Sequence, residues 1–175
     1  HCDSRRQRQM CIRDRGNPNQ PTNAPPKAKH AFGELRKFDG IPKNPLPVSD
    51  SMARKLIHGY YACVSYIDAQ IGILLVGLDN LNLSENTIVF ILGDHGWSLG
   101  EHGLWAKHSP FDLATRTPLI VRTPEHLSET YKSGRAHGLV EFIDIFPTIM
   151  ELVDLAELDQ LDGKSFVEQL KDPLS

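Results

Sequence analysis

The sequence predicts an α/β chain, and three observations carry that prediction. A stripe of apolar residues runs at helical spacing from Met52 to Leu78, an unalternating β-branched run fills 86–92, and a polar, glycine-hinged segment follows that run directly. With 175 residues, 40% of them hydrophobic, the chain is long enough for one domain with a core of ordinary size.

Residues 1–15, HCDSRRQRQMCIRDR, form a basic patchwork unlike anything after it and read as a non-native leader from cloning or sequencing read-through. Residues 16–48 are rich in Pro, Gly and Asn and predict an irregular segment running over the surface. Order is expected over 49–175. Asp50 can cap a helix ending near Asn80, with Met52, Leu56, Tyr60, Val64, Ile67, Ile71, Leu74, Leu75 and Leu78 on one stripe. Tyr60, Tyr61 and Tyr66 should then be mostly core or partly buried, and Cys63 an inert buried thiol. NTIVFIL predicts a strand at 87–92 buried on both faces of a parallel sheet. A second strand is expected within 116–124 and a third within 137–144. Asp144 can cap a last helix through IFPTIMELVDLAEL, where Pro147 falls in the first turn and its missing N–H does little harm.

The formal net charge of -3, with no sustained basic run, gives no reason to expect nucleic acid or an anionic membrane surface as partner. No uninterrupted apolar stretch approaches the roughly 18 residues needed to span a bilayer, so no membrane is expected. Cys2, Cys11 and Cys63 show no C-x-x-C spacing, and an odd count argues against a disulfide framework.

The chemistry concentrates in ILGDHGWSLGEHGLWAKH, residues 91–108. Ligands of open α/β sheets bind beyond the carboxyl ends of strands, which is where Asp94 and His95 stand. A carboxylate suits a hard divalent cation and a neutral imidazole can add a second bond, with Gly93 and Gly96 letting the backbone turn between them. Lys107 supplies a compact positive charge for an oxyanion, and a metal and a lysine on the same oxygens would stabilise charge developing on a sulfate or phosphate ester. Each residue also has a plainer reading. An Asp-His pair after a strand is more often a turn device, and a lone lysine is usually solvated. Glu101, His102 and His108 read as loop residues making local hydrogen bonds, and Trp97 and Trp105 as packing anchors.

The stretch YYACVSYIDAQIGILLVGLDNLNLSENTIVFILGDHGWSLGEHGLWAKHSPFDLATRTPLIVRTP resembles the sulfatase family of the alkaline-phosphatase-like superfamily, and the likeness extends over about residues 47–170. VEFIDIFPTIMELVDLAEL followed by LDGKSF resembles the family's next helix and the loop after it. The resemblance implies part of a mixed-sheet sandwich with helices on both faces, truncated, with 49–175 the C-terminal portion of a catalytic domain. It further implies Asp94 and His95 as ligands of a calcium ion and Lys107 as a contact to the sulfate. The parent protein would hydrolyse a sulfate ester such as iduronate 2-sulfate or another sulfated sugar or glycosaminoglycan, and would be secreted, periplasmic or lysosomal. The family's formylglycine arises from a cysteine in a C-x-P-S-R type motif. Here Cys11 precedes IRDR and Cys63 precedes VSYID, so the nucleophile, with further metal ligands, is expected in a missing N-terminal half, and the fragment alone should be inactive. Two other readings stay open: a phosphoesterase of the same superfamily, whose Asp-His pairs can bind zinc, and a non-catalytic pseudoenzyme or binding module.

Overall fold

The computed structural model describes residues 22–28, 34–43, 47–156, 158 and 160–174. The expected leader at 1–15 therefore lies outside the described residues, as do parts of the 16–48 segment. The chain packs as two compact units, one taking residues up to Val76 together with Leu92–Leu119, the other Gly77–Ile91 and Ile120–Ser175.

The long helix is present as α1, Asp50–Asn80. Its cap is Ser49 rather than Asp50: the Ser49 hydroxyl accepts the Met52 N–H at 3.3 Å, and Asp50 is already helical. The helix stops where Asn82 turns left-handed (φ 55°) and Leu83 N–H reaches back to Leu78 O at 2.9 Å, which satisfies a carbonyl that has lost its helical partner. In the first unit Ala53 and Ile57 of α1 pack with Leu35, Ile41, Leu104 and Trp105. Among its described residues the Pro-rich segment forms two 3₁₀ turns, Pro26–Ala28 and Leu35–Lys37, and Leu35 and Ile41 join the core rather than running over the surface.

The remainder of the predicted stripe is not core. Tyr60, Tyr61 and Tyr66 are 37%, 52% and 64% exposed, Val64, Ile67 and Leu74 are exposed as well, and Cys63 is an exposed free thiol. Periodicity identifies the face a helix could bury, but whether that face is covered depends on what else packs there. The expectation about membrane-spanning length also needs correcting. Helix α1 holds an 18-residue window long and apolar enough to cross a membrane by length and composition alone. Asp68 and Gln70 break the continuous apolar run, yet the window keeps a mean hydropathy of 1.6.

β1 (Val89–Leu92) pairs with β4 (Leu119–Arg122). β1 is shorter than the predicted 87–92 strand. It is half-buried, with Leu92 exposed, rather than covered on both faces. No strand forms at 137–144. Instead Phe142–Asp144 is a 3₁₀ turn, because the Asp144 carboxylate accepts the Glu141 N–H at 2.8 Å and curls the chain into the next helix. The same carboxylate accepts the Lys164 N–H at 2.8 Å, and these two donors hold its pKa below the usual carboxylate range. The following helix, Ile145–Leu152, ends earlier than the sequence predicts, with Asp154 left-handed (φ 54°) just past it. Inside it, buried Thr148 donates to Asp144 O at 2.6 Å and accepts the Phe166 N–H at 3.0 Å, tying the helix to residues leading into Val167–Lys171.

Candidate metal and anion site

All three residues singled out for chemistry lie in the first unit, on the excursion between β1 and β4. That excursion is a single polar loop by sequence, but it contains a small antiparallel hairpin. Ser98–Leu99 (β2) pairs with Trp105–Ala106 (β3), with Ser98 opposite Ala106 and Leu99 opposite Trp105. The turn between them is built by left-handed Gly100 (φ 108°), His102 (φ 54°) and Gly103 (φ 68°), and Gly100 N–H donates to Leu104 O at 2.8 Å. Glu101 secures it from the side, its carboxylate accepting the Leu99 N–H at 2.6 Å. Two glycines flanking Glu-His between apolar residues were the signal that could have revealed this hairpin.

The hairpin returns the chain to its starting point. Lys107 leaves β3 at the end where Trp97 enters β2, two residues after His95. Buried Leu104, Trp105 and Ala106 anchor the returning strand, and Ala106, left-handed at φ 68°, bends the chain immediately before Lys107. Lys107 is half-buried and has no ion pair among the described residues.

At the corner, His95 Nε2 stands 3.3 Å from Asp94 Oδ2, and His95 Nδ1 is 2.8 Å from Gly96 O. A carbonyl oxygen can only accept, so Nδ1 carries the proton and Nε2 keeps its lone pair turned toward a carboxylate. Two lone-pair atoms facing each other need positive charge between them, either a proton on Nε2 or a metal ion. The spacing fits a metal: ligands at about 2.3–2.6 Å from one calcium and at right angles to each other lie about 3.4 Å apart. Tetrahedral zinc, with bonds near 2.0–2.1 Å, gives about the same separation, so the pair does not choose between them. Among the described residues no group of three or more His, Cys, Asp or Glu side chains could hold a metal, so Asp94 and His95 could supply at most part of a ligand set.

The glycines act differently from expectation. Neither Gly93 nor Gly96 is left-handed. Gly96 is needed for close approach, since its N–H donates to Ala114 O at 2.9 Å and a Cβ there would lie 2.0 Å from Leu113 O. The neighbouring residues take structural parts. His102 stacks on Phe111 (centroids 5.0 Å apart), His108 Nδ1 is 3.8 Å from Glu34 Oε2, and Trp105 is core, as the packing-anchor reading expected. Trp97 is half-buried between aromatic neighbours, with ring centroids 6.1 Å from His95 and 6.3 Å from Tyr60.

Comparison with known proteins adds a different kind of information. A family model described as Sulfatase matches residues 8–155. Iduronate 2-sulfatase of Mus musculus is 36% identical over a match covering 79% of this chain and 30% of that protein. Among solved structures, one bound to its substrate D-glucosamine-2-N,6-O-disulfate matches with TM-score 0.65 and 28% identity, over 80% of this chain and 27% of its own. The phosphonate monoester hydrolase of Silicibacter pomeroyi matches with TM-score 0.64 and 29% identity, over 73% of this chain and 24% of its own. The chain thus spans about a third or less of the length of these proteins.

Proposed function

This chain belongs to the sulfatase family, and from that premise we propose that it carries the metal-and-anion wall of a sulfate ester hydrolase. The observation that supports this most is the hairpin register, which sets half-buried Lys107, without an ion pair among the described residues, opposite Trp97, two residues beyond the His95 that faces Asp94. In this reading Asp94 Oδ2 and His95 Nε2 hold a divalent cation, calcium by likeness to the family, and Lys107 Nζ grips a non-bridging oxygen of the ester. The bound cation would neutralise charge on the ester oxygens. Lys107 orients the same group and stabilises the charge that builds as the S–O bond breaks, while the Nδ1–H bond to Gly96 O keeps the imidazole in the ligating tautomer. The nucleophile, a formylglycine by family likeness, belongs to a part of the protein other than this chain.

A sulfated sugar is the proposed substrate class, since one relative is an iduronate 2-sulfatase and one structural neighbour holds a glucosamine disulfate. The phosphonate hydrolase neighbour supports a second reading, a phosphonate or phosphate ester on the same wall. The test is an assay of the full-length parent on a sulfated uronate disaccharide, an aryl sulfate and a phosphonate monoester, with Asp94→Ala and Lys107→Ala alongside. Sulfate release should fall on the order of 10²-fold or more in kcat/KM in each variant. Undiminished release in either variant removes that residue's role, and turnover of the phosphonate alone selects the second reading.

A further inference from the structure

Resting on the proposed metal reading, we infer that Trp97 is a positioning residue. Its indole, itself placed by Tyr60, sets the plane of the His95 imidazole so that Nε2 stays turned toward Asp94.

The two ligands are held very differently. The Asp94 side chain is 86% exposed and nothing but His95 pairs with it among the described residues, whereas the His95 side chain is 30% exposed. The bond from Nδ1 to Gly96 O fixes the tautomer, but a contact to the adjacent residue leaves the ring free to swing with the loop. A ring face against the imidazole removes that freedom. The indole of Trp97 lies 6.1 Å from the His95 ring at 29°, and the Tyr60 ring lies 6.3 Å from the indole at 25°, both within the range of stacked aromatic pairs. Trp97 is therefore paired both with the ligand ring and with a tyrosine of α1. Tyr60 follows Ala53 and Ile57 on that helix, and both of those are core. On its other side Trp97 runs straight into β2, whose Leu99 pairs with buried Trp105. The indole is thus referenced to the helix and to the hairpin at once. An imidazole ordered before the cation arrives loses less freedom on binding, which raises affinity without adding a ligand.

A packing anchor and a positioning residue both lower stability when removed, but only the latter changes metal affinity in the folded protein. The test is calorimetric titration of the metal-stripped full-length protein with Ca²⁺, and separately with Zn²⁺, for wild type, Trp97→Ala, Trp97→Phe, Tyr60→Leu, Asp94→Ala and His95→Ala. The inference expects binding weakened about tenfold in Trp97→Ala, within about threefold of wild type in Trp97→Phe, and weakened a few-fold in Tyr60→Leu. If Trp97→Ala does not fold, Tyr60→Leu and Trp97→Phe decide by the same criteria. Loss of binding in Asp94→Ala and His95→Ala with wild-type affinity in Trp97→Ala and Tyr60→Leu would overturn the positioning role alone. Equal losses in Trp97→Phe and Trp97→Ala would overturn it too. Unchanged affinity in Asp94→Ala and His95→Ala would remove the metal reading on which it rests.

Discussion

Replacing Gly96 with alanine should damage both stability and metal binding, and the reason is distance rather than backbone conformation. The added methyl carbon would lie 2.0 Å from Leu113 O and 2.7 Å from Arg116 O, both backbone atoms that cannot rotate away. A carbon and a carbonyl oxygen settle no closer than about 3.3 Å, so the corner or the facing backbone must move by about 1 Å. Such overpacking costs about 1–3 kcal/mol, and losing the bond from Gly96 N–H to Ala114 O adds about 1 kcal/mol. Together these predict about 2–4 kcal/mol, which for a chain of this length lowers the midpoint by roughly 5–15 °C. Gly93→Ala is the matched control. Its methyl would meet Pro118 Cδ at 3.4 Å, an ordinary contact, and the change should stay within about 0.5 kcal/mol. Thermal melts followed by circular dichroism, with metal titration of whichever variants fold, make the comparison. A Gly96→Ala variant that melts with wild type, or a Gly93→Ala variant equally damaged, would refute the reasoning.

Thr148→Val should cost about 1–3 kcal/mol in urea unfolding, because it leaves the buried Phe166 N–H without its acceptor while keeping the side-chain shape. Asp144 has a depressed pKa in the folded state, so its contribution is fully present above the unfolded value near 3.9 and disappears as pH falls through the lower folded value. Asp144→Ala should accordingly flatten the loss of stability below about pH 4, and an unaltered acid profile would show that the two backbone donors do not stabilise the charge. The chain by itself should associate through the exposed apolar side of α1, where Val64, Ile67 and Leu74 are open. Sedimentation showing a monodisperse monomer would contradict that.

Legibility in the sequence followed the range of each interaction. The bounds of α1 were readable because helical spacing is a local property, and β4 fell within the predicted 116–124 because a short β-branched run between prolines has few alternatives. The third strand was misread because Val140 to Ile143 has strand composition, while a single carboxylate three residues after Glu141 decides for a turn. The environments of Tyr60, Tyr61, Tyr66 and Cys63 were misjudged because burial is settled by distant chain. Within the site, Asp94 and His95 were visible as adjacent residues at a strand end. Bringing Lys107 to them required pairing across Gly100–Gly103, and the Trp97 and Tyr60 rings required a contact between residues far apart in sequence. The resemblance to sulfatases named all three candidates, but it did not reveal the hairpin or the stacked rings.

The excursion that carries the site leaves and re-enters the β1–β4 pair at neighbouring points, where Gly93 N–H donates to Pro118 O at 3.1 Å. Its two ends are therefore already held together before anything inside it is specified, and the entropy of closing the loop is charged to strand pairing rather than to the site. Everything from Asp94 to Thr117 is thus a loop closed at its base by that bond, with its Leu104 and Trp105 packed in the first unit's core. Gly93 and Pro118 are therefore the natural seams at which this segment could be exchanged between relatives without reopening the loop.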